Sequence, residues 1–133
     1  MIALLLLMLF EVNKKVVNVL KAVFHVDMED VSRFELALGN MMNLQKDMGH
    51  ENMDIALLAN GNSVKHFVKE GNMEYLPRLK ELHEKGVKFY LCNNSLNKHS
   101  LKREQMFDFC DVVPAGVTKL IKLQKEGYAY IKP

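Results

Sequence analysis

Continuous apolar runs alternate with segments of helical periodicity along most of this chain. Apolar, β-branched-rich runs bounded by turn residues predict five strands, over 19–26, 53–59, 87–91, 109–113 and 128–131. Apolar residues at helical spacing predict helices over 30–49, 76–86 and 117–125, with two short helical pieces between 93 and 107, the second capped by Ser100. The chain therefore repeats strand and helix.

Each predicted strand is a continuous apolar run, which is typical of strands that are buried on both faces of a parallel sheet. Alternation of such strands with helices predicts an α/β fold, a three-layer α/β/α sandwich with a parallel five-stranded sheet and flavodoxin-like layering. No linker rich in Gly, Ser or Pro interrupts residues 19–133, so we expect them to form one domain.

The first ten residues, Met1 to Phe10, form an almost unbroken apolar run. Because about 20 apolar residues are needed to span a bilayer, this run is too short to be a membrane helix. Lys14 and Lys15 follow the run instead of preceding it, and this order disfavours a secretory signal. We expect residues 1–18 to be an apolar extension packed on a neighbouring subunit, or the product of a misassigned start codon.

Composition and charge exclude several classes of protein. The chain has 133 residues, of which 49% are hydrophobic, and its 18 Lys+Arg against 16 Asp+Glu give a net charge of +2. A chain of this length builds a core without a disulfide scaffold, and the balanced charge argues against a nucleic-acid partner. Its two cysteines have neither zinc-site nor CxxC spacing, so we expect a cytoplasmic protein without metal or cofactor.

In parallel α/β sheets, ligands bind beyond the carboxyl ends of the strands. The residues that follow the predicted strands are Asp27, Asn60, Gly61, Cys92, Asn93, Asn94, Ser95, Pro114, Ala115 and Gly116. Cys92 is the intrinsic nucleophile among them, and a thiol before a helix start faces unpaired N–H groups that favour thiolate. The alternative is that Cys92 is inert packing, since cysteine is among the residues most often buried.

We interpret the remaining cysteine and the histidines as packing, hydrogen-bonded or surface residues. We expect Cys110, at the start of the fourth strand, to be a packing residue about 13 Å along the strand direction from Cys92, too far for a disulfide. His25 alternates with apolar neighbours and is interpreted as a hydrogen-bonded core or interface residue instead of a general base. The other histidines, expected on the solvated surface, are His50, His66, His83 and His99. Asn60 to Ser63 is interpreted as a turn with a helix N-cap.

Four strings in order resemble the small single-domain branch of the DsrE/DsrF-like family over residues 19–133. They are VFHVD at 23–27, GVKFYLCNNSL at 86–96, DVVPAGV at 111–117 and LQKEGYAYIKP at 123–133. The resemblance implies an α/β sandwich that assembles into homo- or hetero-oligomers built on trimers or hexamers. It also implies relay of sulfur as a cysteine persulfide between donor and acceptor proteins, with the carrier at Cys92.

Two departures from the family pattern affect the site. The usual N-T-L after the cysteine is Asn94-Ser95-Leu96 here, which keeps a hydroxyl, and the usual His-Gly after the second strand is Asn60-Gly61, which removes an imidazole. Two hypotheses remain open: a sulfurtransferase-type persulfide carrier, or a non-catalytic oligomeric subunit that binds a small ligand or partner in the strand-end pocket. We expect a homo-oligomer, because the N-terminal run and the methionines of the first helix (Met41, Met42, Met48) offer apolar surface.

Overall fold

A computed structural model of the protein describes Ala3 and residues 19–133. Apart from Ala3, the residues of the expected N-terminal extension, 1–18, lie outside the described part of the chain. The strands are β1 (Leu20–Val26), β2 (Met53–Ala59), β3 (Lys88–Cys92), β4 (Asp111–Val113) and β5 (Ala129–Ile131). They form one sheet in the order β4-β3-β2-β1-β5, and every neighbouring pair is parallel. The predicted five-stranded parallel sheet is confirmed.

Helices cover both faces of this sheet. They are α1 (Val31–Met48), α2 (Leu76–Glu84), α3 (Asn93–Lys98) and α4 (Gly116–Lys125). Short 3₁₀ helices cover His50–Asn52, Gly61–Phe67, Met73–Tyr75 and Arg103–Gln105. From β1 to β4 the chain steps in one direction across the sheet, so right-handed crossovers place α1 to α3 on one face. The step from β4 to β5 runs the opposite way, and it places α4 on the other face.

The larger apolar core lies under α1. The Asp30 carboxylate caps this helix by accepting from the N–H groups of Ser32 and Arg33, and Gly49 ends it with a φ of +81°. Phe34 and Leu38 are buried against the sheet.

The methionines of α1 belong to the same core. Met41 is fully buried, while Met42 and Met48 pack partly buried against the cluster. Of the three side chains expected to supply exposed apolar surface, Met41 supplies none, and Met42 and Met48 supply only the part that the core cluster leaves uncovered.

The smaller core lies under α4. Val23, Ala56 and Leu58 on the second face of the sheet pack against Leu120 and Leu123 of this helix. Strands β1 and β2 thus bury apolar side chains on both faces, as their continuous apolar runs predict.

The segment between α3 and β4 differs from the predicted helical piece. Ser100 caps no helix and has a φ of +54°, and a single 3₁₀ turn follows it. The Arg103 guanidinium donates to the carbonyls of Phe107, Asp108 and Cys110, which holds this loop in an irregular path. Because the side-chain hydrogen bonds of one arginine shape the loop, apolar spacing alone mispredicted it.

Among the described residues, no helix combines the length and the apolar character that crossing a membrane requires.

Candidate functional site

Cys92 is the last residue of β3 and directly precedes α3. Its cross-strand partner is Val113, the last residue of β4. The chain leaves β3 toward one face of the sheet and leaves β4 toward the other, so the two strand ends diverge at this point. Such a switch point opens a crevice at the carboxyl ends of the strands, which is where α/β sheets bind ligands.

Donor groups at two helix starts lower the pKa of the Cys92 thiol. Burial raises the pKa of the thiol, but donation from the Ser95 hydroxyl and from the N–H groups of Gly116, Ser95 and Asn94 outweighs burial. The pKa of Cys92 is therefore below its ordinary value. Ser95 and Asn94 belong to α3 and Gly116 begins α4, so groups from two helices lower the pKa of the thiol.

Ser95 links the ends of two strands. Its Oγ accepts a hydrogen bond of 2.7 Å from the N–H of Gly61, the residue that starts the 3₁₀ helix after β2. With a lone pair engaged by this N–H, the hydroxyl proton is free to donate to Cys92. Gly61 has a φ of +58°, and a Cβ there would lie 2.7 Å from the carbonyl oxygen of Asp27, so the approach requires glycine.

Gly116 allows α4 to begin against the cysteine. A Cβ at this position would lie 3.1 Å from the Cβ of Cys92 and 3.2 Å from that of Asn60. Both contacts are tight, so the absence of a side chain lets the Gly116 N–H reach the sulfur. The sequence placed this residue after the fourth strand but did not predict its approach to Cys92.

Asn60 lies in a chain of side-chain hydrogen bonds that the sequence did not predict. His25 Nε2 and Asn60 Oδ1 are 2.7 Å apart, and His25 Nδ1 and the Tyr130 hydroxyl are 2.6 Å apart. Asn60 is the N-cap residue of the 3₁₀ helix, as the predicted turn with an N-cap requires, but its side chain makes no capping hydrogen bond. His25 is a buried hydrogen-bonded residue as expected, and it brings an imidazole to Asn60 from the neighbouring strand.

The other predicted pocket residues contribute less. The carboxylate of Asp27 pairs with Lys132, and this hydrogen bond holds the pKa of Asp27 below its ordinary value. Asn93 and Asn94 are exposed, and Asn94 acts through its backbone N–H. Pro114 and Ala115 line a neighbouring cavity of about 270 Å³ together with side chains of α4.

Cys110 differs from Cys92 in the direction in which its pKa is shifted. It is 1% exposed, and burial raises the pKa of its thiol to about 12. It lies one residue before β4 instead of inside the strand, and three positions before Val113, the partner of Cys92. Both cysteines are free thiols.

The four histidines that were expected on the surface differ in burial. His50 and His83 are exposed as expected, and His99 is half-buried with its Nε2 out of contact with solvent. The expectation for His66 is wrong: it is 5% exposed and stacks on Phe34 with ring centroids 4.3 Å apart, because the 3₁₀ helix turns it into the core. Burial lowers the pKa of His66. Within the described residues, no three His, Cys, Asp or Glu side chains form a group that could hold a metal ion.

Comparison with known proteins places these features in context. The sequence profile of the DsrE/DsrF-like family matches residues 14–133. The chain is similar to MTH1491, a protein of unknown function from Methanobacterium thermoautotrophicum, with 32% identity and a TM-score of 0.79 over 86% of this chain and 99% of that one. BT1422, a conserved protein of unknown function from Bacteroides thetaiotaomicron, shares the fold at 16% identity and a TM-score of 0.66, over 85% of this chain and 94% of that one. No curated protein matches the chain.

Proposed function

Because the chain belongs to the DsrE/DsrF-like family, we propose that it relays sulfane sulfur as a persulfide on Cys92. The observation that carries this proposal is the position of Cys92 between two helix starts, where the Ser95 hydroxyl and three backbone N–H groups lower the pKa of its thiol. Such an environment favours thiolate, the form of cysteine that attacks sulfur. A cysteine that only fills space needs no such donors, and Cys110 accordingly has a raised pKa.

The reaction needs no oxidant or metal. The Cys92 thiolate attacks the outer sulfur of a donor persulfide, R–S–SH, and a new S–S bond forms as the donor S–S bond breaks. The donor leaves as a thiolate and takes up a proton. In the second half, an acceptor nucleophile attacks the outer sulfur of the Cys92 persulfide, and Cys92 leaves as thiolate.

The same hydrogen bonds serve both halves of this cycle. Stabilising the thiolate increases the fraction that is ready to attack at neutral pH, although it also lowers the nucleophilicity of each thiolate. In the release step, a stabilised Cys92 thiolate is the better leaving group. A site built this way suits a carrier, which has to take up sulfur and also give it away.

Access to the sulfur is narrow. Cys92 is 5% exposed, so a small donor reaches it more easily than a bulky one does. The exposed Asn93 and Asn94 form the adjoining surface, where a partner that supplies or receives sulfur would contact the chain.

Mass spectrometry of the intact protein tests the uptake step. After incubation with a small persulfide donor and removal of excess donor, the native chain should gain the mass of one sulfur atom, and peptide mapping should place it on Cys92. A Cys92→Ser variant should gain none, and native Cys110 serves as the internal control. If Cys92 stays unmodified while a reactive reference thiol in the same tube is persulfidated, the chain is instead a subunit that lines its pocket with an inert cysteine.

A further inference from the structure

We propose that Asn60 is a further binding residue of this site, whose Nδ2 donates to the outer sulfur of the Cys92 persulfide, and that His25 is the positioning residue that orients it. The inference rests on the proposed persulfide chemistry and assigns a role to two side chains that do not contact the thiol itself. Its basis is the hydrogen-bonded chain from Tyr130 through His25 to Asn60.

The hydrogen bonds of His25 fix the orientation of the Asn60 amide. An amide oxygen only accepts, so His25 Nε2 carries a proton and donates it to Asn60 Oδ1 over 2.7 Å. On the other side of the ring, His25 Nδ1 and the Tyr130 hydroxyl are hydrogen-bonded at 2.6 Å. With Oδ1 assigned to the His25 side, both protons of Nδ2 remain for another acceptor.

The position of Asn60 places that amide beside the cysteine. The Cβ atoms of Asn60 and Cys92 lie 3.2 and 3.1 Å from the point that a Cβ on Gly116 would occupy, so the two side chains flank the same glycine. The thiol itself is served by Ser95, Asn94 and Gly116, and Asn60 is not among its donors. A persulfide adds an outer sulfur about 2.05 Å beyond Sγ, and this added atom has none of those donors assigned to it.

The charged groups near the hydrogen-bonded residues Tyr130, His25 and Asn60 do not compete with Asn60 for the outer sulfur. The Asp27 carboxylate lies next to the end of β1 and is engaged by Lys132. His25 is buried to 9% exposure, while Tyr130 is 43% exposed and connects the chain to solvent. Within the described residues, the neutral amide of Asn60, which directly follows β2, is thus the polar side-chain group beside Cys92 at this strand end.

A chemically installed persulfide tests this role independently of any physiological donor. Dithiodipyridine activates Cys92 as a mixed disulfide, and hydrosulfide then displaces the thiopyridine to leave Cys92–S–SH. The rate of alkylation against pH reports the pKa of the persulfide, and the same profile on untreated protein reports the pKa of the thiol. We expect Asn60→Leu, which keeps the side-chain shape without a donor, to raise the persulfide pKa by about one unit and to leave the thiol pKa within a few tenths.

His25→Phe should raise the persulfide pKa in the same direction, and the double variant should show no more than the larger of the two shifts. Asn62→Leu, at an exposed asparagine in the 3₁₀ helix that follows Asn60, is the matched control and should match the native profile. Urea midpoints identify any variant that is unfolded, and Asn60→Ala then replaces Asn60→Leu.

An unchanged persulfide pKa, or equal shifts of the thiol and the persulfide, would overturn the role of Asn60. Additive shifts in the double variant would overturn the positioning role of His25. A native Cys92 that dithiodipyridine cannot reach would contradict this inference and the proposed function together, because both require an accessible sulfur. If the installed persulfide behaves as expected while the donor experiment adds no sulfur, the proposed function fails and the contact of Asn60 stands.

Discussion

Replacing Ser95 with alanine removes the side-chain donor to the Cys92 thiolate. The Ser95 hydroxyl lowers the pKa of Cys92 and accepts a hydrogen bond from the N–H of Gly61 at 2.7 Å, so the substitution removes both interactions. Burial of Cys92 continues to raise its pKa in the variant. The balance between burial and hydrogen bonding therefore shifts toward the neutral thiol.

The size of the effect follows from the value of one hydrogen bond to a charged group. Such a bond contributes about 1.5–3 kcal/mol, and one pKa unit corresponds to about 1.4 kcal/mol. Because a thiolate is a weak acceptor compared with a carboxylate, we take the lower end of this range. Ser95→Ala should raise the pKa of Cys92 by about one unit, and loss of the partner of Gly61 should also destabilise the fold by about 1 kcal/mol.

The rate of iodoacetamide modification of Cys92 between pH 5 and pH 10 measures this shift, with peptide mapping to separate Cys92 from Cys110. Ser95→Thr is the matched control because it keeps a hydroxyl at the same position, and its profile should follow that of the native chain. Coincident profiles for Ser95→Ala and the native protein would refute the assignment of Ser95 as a donor to the thiolate.

Four further predictions concern Gly116, His66, Cys110 and the oligomeric state. Gly116→Ala should lower the free energy of unfolding measured in urea by about 1–3 kcal/mol and slow alkylation of Cys92, because the added Cβ meets three neighbours within 3.2 Å. Gly39→Ala is the control and should be neutral or stabilising, because a Cβ added there meets no neighbouring atom within 4 Å. His66 has a lowered pKa, so only the unfolded chain takes up its proton below about pH 6.5, and native stability should fall as the pH decreases from 7 to 5; His66→Phe should flatten this slope, and equal slopes would contradict it. Cys110, with a pKa of about 12, should be alkylated only after denaturation, unlike Cys92. The expected homo-oligomer should exceed 15.3 kDa by multi-angle light scattering at micromolar concentration, and a 15.3 kDa particle would refute it.

The parts of the fold that could be predicted from sequence are those set by local pattern. β2 spans Met53–Ala59 as predicted, because its continuous apolar run ends at a turn sequence. α1 begins after Asp30 and ends at Gly49 because both caps act within a few residues of the chain. The loop before β4 could not be predicted in this way, since its path depends on where the Arg103 side chain finds carbonyl acceptors.

In the candidate site too, the positions set by local sequence pattern could be predicted, and the contacts between distant residues could not. Position at a strand end identified Cys92 and Asn60, because the topology of parallel sheets places such residues in a crevice. The hydrogen bonds around these two residues join distant parts of the chain: Gly61 donates to Ser95, and Tyr130 reaches His25 from the last strand. Sequence spacing does not encode these pairings. Packing also decided the burial of His66, whose 3₁₀ helix has no strong periodic signal.

Sulfur transfer through Cys92 to an acceptor tests the central claim most directly. The native chain is loaded with isotopically labelled sulfane sulfur, freed of donor, and treated with cyanide as a small acceptor that attacks the outer sulfur. Our account predicts one labelled thiocyanate per chain from the native protein, none from Cys92→Ser, and return of native Cys92 to its unmodified mass. Equal thiocyanate from the native protein and Cys92→Ser, or labelled sulfur retained on native Cys92, would contradict it.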